Sequence, residues 1–265
     1  MAAIFPPIRW GAREVGWTWV PATTREMAEA ARPVFAEFLG TLAFVFIAGS
    51  FLVLIPAAER GFSTVGLLIL ALGTALAYAI IVTALYPVSG GHVNPAVTLG
   101  HLVARRIPPA MAILYWAAQM IGGVLGALML QFVYRDVADA AARQATLAFG
   151  EAYRGSWAAL FTGGFLEAAL TFLLVLTFLM TLVDPRGQRA FGALAVGLAV
   201  LVATLLAFPL TGAALNPARV LGTAVVANHW SDFAMYWMAL LGGLLAGLVY
   251  DFLGEHPEER RSPQR

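Results

Sequence analysis

The sequence predicts an all-α membrane protein: six transmembrane helices and two re-entrant half-helices in an inverted three-plus-three repeat. Three observations carry this prediction. Of 265 residues, 60% are hydrophobic and only 12% charged, where a soluble domain carries roughly 25% charged residues. Six long segments hold at most one charge each: 35–58, 62–104, 107–134, 155–183, 190–231 and 233–250. Two of these, of 43 and 42 residues, are too long for one span, and each contains Asn-Pro-Ala.

The elements follow in order. Residues 1–32 read as an interfacial arm, with Trp10, Trp17 and Trp19 among Arg and Glu and no apolar core of signal-peptide type. A membrane-crossing helix needs about 20 apolar residues. The first span lies in 35–58 and carries Glu37; the second is Val65–Val88. The chain then turns small and polar, Ser89-Gly90-Gly91-His92-Val93-Asn94-Pro95-Ala96-Val97-Thr98. The apolar stretch that follows is about ten residues, about 15 Å as a helix, half a membrane. It can only dip in and return, with its irregular backbone buried in protein or lining a wet cavity. A third span falls in 107–134.

After the mixed segment 135–154 the schedule repeats. A span in 155–183 carries Glu167, and a second is Phe191–Pro209. Then comes Thr211-Gly212-Ala213-Ala214-Leu215-Asn216-Pro217-Ala218-Arg219, another short apolar stretch, and a last span in 233–250. The charged tail is 255–265. The channel domain is therefore expected over 33–254, with repeats about 33–134 and 155–254. Asn94 and Asn216 lie 122 residues apart. Three spans per repeat is an odd number, so the second copy is inverted and the two Asn-Pro-Ala segments enter from opposite faces. Arg105, Arg106, Arg186 and Arg189 fall in loops on one side, which positive-inside counting makes cytoplasmic, with both termini. A plasma (inner) membrane location is expected.

Asn is a good N-cap and Pro suits the first helical turn. Each half-helix start carries about half a positive charge, so Asn94 and Asn216 would meet on a positive ridge at mid-membrane. Each Asn amide has two N–H donors to offer a lumen. A water accepting from both would point its hydrogens away, interrupting a proton-conducting chain, while the dipoles repel cations. This is a passage for small neutral molecules.

These motifs resemble the aquaporin (major intrinsic protein) family over about residues 33–254. The resemblance implies a passive channel for water and small neutral solutes, working as a homotetramer in lipid. It places pore residues at Asn94, Pro95, Ala96, Asn216, Pro217 and Ala218, and a selectivity filter at Thr74, Thr204, Ala213 and Arg219. Arg219 is the only charge in its 42-residue run, and an intramembrane charge faces a wet interior. The filter departs from the Phe/His pair of strict water channels and lacks the aromatic pair of glycerol facilitators. Two Thr should leave a wider, polar opening admitting ammonia, hydrogen peroxide and urea, unless their hydroxyls bond back to their own helices. Val220 and Ala224 stand where glycerol facilitators differ, and point to the water branch. Glu37, Glu167 and His92 are expected to support the re-entrant loops.

Net charge of +1 and the composition speak against a nucleic-acid partner. There is no Cys, HExxH, P-loop or GxSxG pattern and the four His are scattered, so no enzyme, metal or cofactor is expected. A broader facilitator of glycerol, urea, ammonia or peroxide is the near alternative. A secondary transporter is the distant one, with Glu37 or Glu167 as its coupling carboxylate.

Overall fold

The computed structural model describes residues 8–10, 13–15, 19–59, 63–135, 156–230 and 232–254. Trp17, Arg60, residues 136–155 and residues 255–265 lie outside the described residues. Within the arm, β1 (Ile8–Trp10) and β2 (Arg13–Val15) pair antiparallel. All other regular elements described are helical. They are α1 (Thr24–Glu59), α2 (Thr64–Ser89), α3 (Pro95–Val103), α4 (Pro109–Val133), α5 (Trp157–Phe178), α6 (Arg189–Thr211), α7 (Pro217–Ala227), α8 (Phe233–Tyr236) and α9 (Met238–Leu253). A π-helical turn, Leu179–Val183, ends α5.

Among the described residues, six spans are long and apolar enough to cross a membrane, the last formed by α8 and α9 together. The half-helices α3 and α7 have 9 and 11 residues. The first span begins earlier than the expected boundary at residue 33. A capping box explains it: Thr23 Oγ1 accepts from the Glu26 N–H (3.2 Å), and the Glu26 carboxylate accepts from the Thr23 N–H (3.1 Å). The second spans of the repeats, α2 and α6, run on to Ser89 and Thr211, just past the expected Val88 and Pro209. Pro87 and Pro209 sit inside the last turns, and Gly90 (φ 88°) and Gly212 (φ 79°) cap them in the left-handed region.

Each half-helix packs on the closing span of the other repeat: α3 on α9 and α7 on α4. Glycines make this possible. A Cβ on Gly243 would strike the Ala96 carbonyl, and one on Gly123 the Ala218 carbonyl. The Ala of each Asn-Pro-Ala thus lies against a glycine of the opposite half. Gly122 and Gly126 meet the backbone of Phe38 and Leu42 on α1, and Gly247 meets that of Gly100. These small-residue pairs serve crossings within the chain.

At one end, the loops in which the sequence gathers Arg meet the end of α9. Arg105 pairs with Asp251 (2.6 Å), Arg106 donates to Tyr250 Oη (2.9 Å), and Arg186 grips Asp184 with two N–H groups and donates to the Leu253 carbonyl (2.9 Å).

Candidate functional site

Asn94 caps α3 through its side-chain oxygen, which accepts from Ala96 N (2.8 Å). Asn216 caps α7 in the same way, accepting from Ala218 N (3.0 Å). The two starts are then laced together. Asn94 Nδ2 donates to the Leu215 carbonyl (2.9 Å), and Asn216 Nδ2 donates to the Val93 carbonyl (2.8 Å). This corrects the expectation of two lumen-facing donors per Asn. One N–H of each amide bonds the opposite loop, because each helix start lies within reach of the other. One N–H per Asn remains beyond these two bonds.

The two acceptor residues are strained. Val93 (φ 54°) and Leu215 (φ 55°) hold the left-handed conformation that side chains with a Cβ disfavour. Carboxylates hold them there. Glu37 accepts from Ser89 Oγ (2.6 Å), His92 N (2.9 Å), Val93 N (2.6 Å) and Gln119 Nε2 (2.8 Å). Glu167 accepts from Thr211 Oγ1 (2.5 Å), Ala214 N (3.0 Å) and Leu215 N (2.8 Å). Each Glu thus fixes one strained residue, whose carbonyl fixes the Asn of the other repeat. Both carboxylates are fully buried and fully engaged. Neither has the free, lumen-facing oxygen a coupling carboxylate of a transporter would present.

Tyrosines close the cradle. Tyr115 Oη donates to the Ser89 carbonyl (2.8 Å) and Tyr236 Oη to the Thr211 carbonyl (2.7 Å), corresponding places in the two repeats. Tyr78 Oη donates to the His92 carbonyl (2.8 Å). His92 is buried, with Nδ1 3.1 Å from Thr98 Oγ1 and its ring 3.9 Å, centre to centre, from that of His101.

Arg219 is 4% exposed and donates to the Ala213 carbonyl (3.2 Å), with its guanidinium 5.9 Å from the Phe44 ring centre. Arg219 and Ala213 therefore lie together. Thr204 donates to the Val200 carbonyl of its own helix (2.8 Å), the alternative the sequence left open. Thr74 Oγ1 is buried with no partner within the described residues. Buried hydroxyls are normally bonded, and Thr74 is an exception among the described residues.

A cavity runs between the two Asn and Arg219. Its lining adds Phe44, Tyr78, Leu174, Val200 and the loop residues Ala213–Leu215. It leaves the centre of a water molecule about 10 Å³, roughly one water. Phe44, Tyr78, Leu174, Val200, Gln119 and His101 were not singled out from sequence. The 122-residue offset that pairs the Asn also pairs Tyr78 with Val200, a signal that could have found those two.

The family model of the major intrinsic proteins matches residues 24–250. "Aquaporin TIP4-4" of Zea mays is 42% identical over 235 residues, covering 86% of this chain and 90% of the relative. "Probable aquaporin TIP3-2" of Oryza sativa subsp. japonica is 40% identical over 233 residues, 86% and 84% of the two chains. The aquaglyceroporin of Plasmodium falciparum shares the fold, with TM-score 0.70, 24% identity, and coverage of 84% of this chain and 96% of its own.

Proposed function

Since the chain belongs to the major intrinsic protein family, and so is a transmembrane channel for water and small solutes rather than an enzyme, we propose that its solutes pass the paired Asn94 and Asn216 one at a time. The carrying observation is the reciprocal lacing of the two half-helix starts beside a water-sized cavity. Pro95, Ala96, Pro217 and Ala218 set the half-helices so that both positive ends bear on that point. Cations and protons are repelled there, while a neutral molecule accepts the free N–H of each Asn.

The outer filter is Arg219 with Ala213, Thr74 and Thr204. Arg219 is anchored on Ala213 and repels cations. Thr74 carries a buried hydroxyl with no partner among the described residues, and Thr204 bonds its own to the Val200 carbonyl. Such an opening admits water, ammonia and hydrogen peroxide, and urea more slowly. Glu37, Glu167 and His92 are supports. The channel unit runs from about residue 33 to 254, and works as a homotetramer in the inner (plasma) membrane. Its Arg-rich end and both termini face the cytoplasm.

A solute panel tests the filter. Thr74→Phe with Thr204→His narrows the opening. Water flux into proteoliposomes is expected to persist while urea and peroxide entry falls about tenfold, the discrimination one step of side-chain size gives. Unaltered urea and peroxide entry contradicts the placement of the filter.

A further inference from the structure

The cavity is built from side chains that the inverted repeat pairs across it. Asn94 faces Asn216, and Tyr78 pairs with Val200. Phe44 stands seven residues after Glu37 and Leu174 seven after Glu167, so α1 and α5 supply corresponding positions. Where the second repeat contributes aliphatic groups, the first contributes two rings. Neither Thr74 nor Thr204 lines this space.

Phe44 is held from two directions. Its ring meets Tyr78 edge-on at 5.0 Å and 80°, and Tyr78 is tethered by its hydroxyl to the His92 carbonyl. On the other side the Arg219 guanidinium lies 5.9 Å from the ring centre, within reach of a favourable cation–π contact. Phe44 is 3% exposed and packs in the main apolar core. A ring fixed in this way cannot swing aside without breaking contacts with both Tyr78 and Arg219. This ring and the Asn pair line the same space, which is about that of one water.

We propose that Phe44, rather than the Thr pair, sets the largest solute that passes this chain's pore. Phe44 supplies on α1 the ring that the filter positions lack. The Thr opening selects by polarity and admits candidates; Phe44 measures their width. This rests on the channel reading above.

The test uses the full chain in proteoliposomes, with stopped-flow entry of water, urea and glycerol. Phe44→Leu removes the ring and keeps an apolar core residue; Phe44→Trp enlarges it. The urea-to-water and glycerol-to-water permeability ratios are expected to rise about tenfold in Phe44→Leu and to fall in Phe44→Trp. Monodisperse elution in detergent establishes that each variant is folded. Should Phe44→Leu misfold, Phe44→Trp alone decides by the direction of its ratio. Ratios that match wild type in the folded variants overturn the proposal and leave the channel reading standing. Wild-type vesicles that shrink no faster than empty ones overturn both.

Discussion

Glu37→Leu and Glu167→Leu should each prevent the chain from accumulating as folded protein. Glu37 satisfies four buried donors and Glu167 three. Leucine fills much of the volume and accepts none of them. Each orphaned donor costs about 1–3 kcal/mol, so three or four approach the whole stability of a domain, about 5–15 kcal/mol. The strain at Val93 and Leu215 adds to this, because the carboxylate is what holds each in the left-handed region. Glu37→Leu should be the more damaging, with one more donor stranded. Glu37→Gln should lie between, since its oxygen still accepts but its amide N–H groups confront other donors. Detergent size-exclusion and thermal unfolding measure this. Wild-type elution and melting for both Leu variants would mean that the loops hold their shape without the carboxylates.

Arg219→Val should open the passage to cations. The two repeats differ here: the position corresponding to Arg219 in the first is Val97, so only the second repeat carries a cation at this place. Two unit charges about 4 Å apart repel by roughly 4 kcal/mol at an effective dielectric near 20. Removing that barrier should raise cation entry by about a thousandfold. The positive ends of α3 and α7 remain, so the pore should still favour neutral solutes. The Ala213 carbonyl loses its donor, which should loosen the loop and raise urea entry as well. Sodium entry into vesicles, followed with an indicator dye, reads the change. Cation entry equal to wild type would remove Arg219 from the filter.

The half-helices were legible because their cue is local. An Asn N-cap, a Pro at the first turn and a run too short to cross need no knowledge of the rest of the chain. The start of α1 was equally local but was read too late: the Thr23–Glu26 capping box lies in a polar stretch before the apolar run. Phe44 and Leu174 were hidden for another reason. Helices bounded by lipid on one side and protein on the other are apolar all round, so periodicity does not mark the face turned to the lumen. Gln119 was similarly anonymous until Glu37 and Thr98 were brought to it (2.8 and 2.9 Å). The reciprocal use of Val93 and Leu215 carbonyls depends on residues more than a hundred positions apart, and only folding reveals it. That same lacing removed one of the two donors each Asn was expected to show the lumen.

Osmotic shrinkage and proton entry measured together on one preparation of proteoliposomes, with a pH dye trapped inside, bear most directly on the facing half-helices. Vesicles holding the chain should shrink much faster than empty ones while acidifying no faster under an imposed pH gradient. Shrinkage at the rate of empty vesicles, or proton entry that rises in step with water, would contradict a water path interrupted at Asn94 and Asn216.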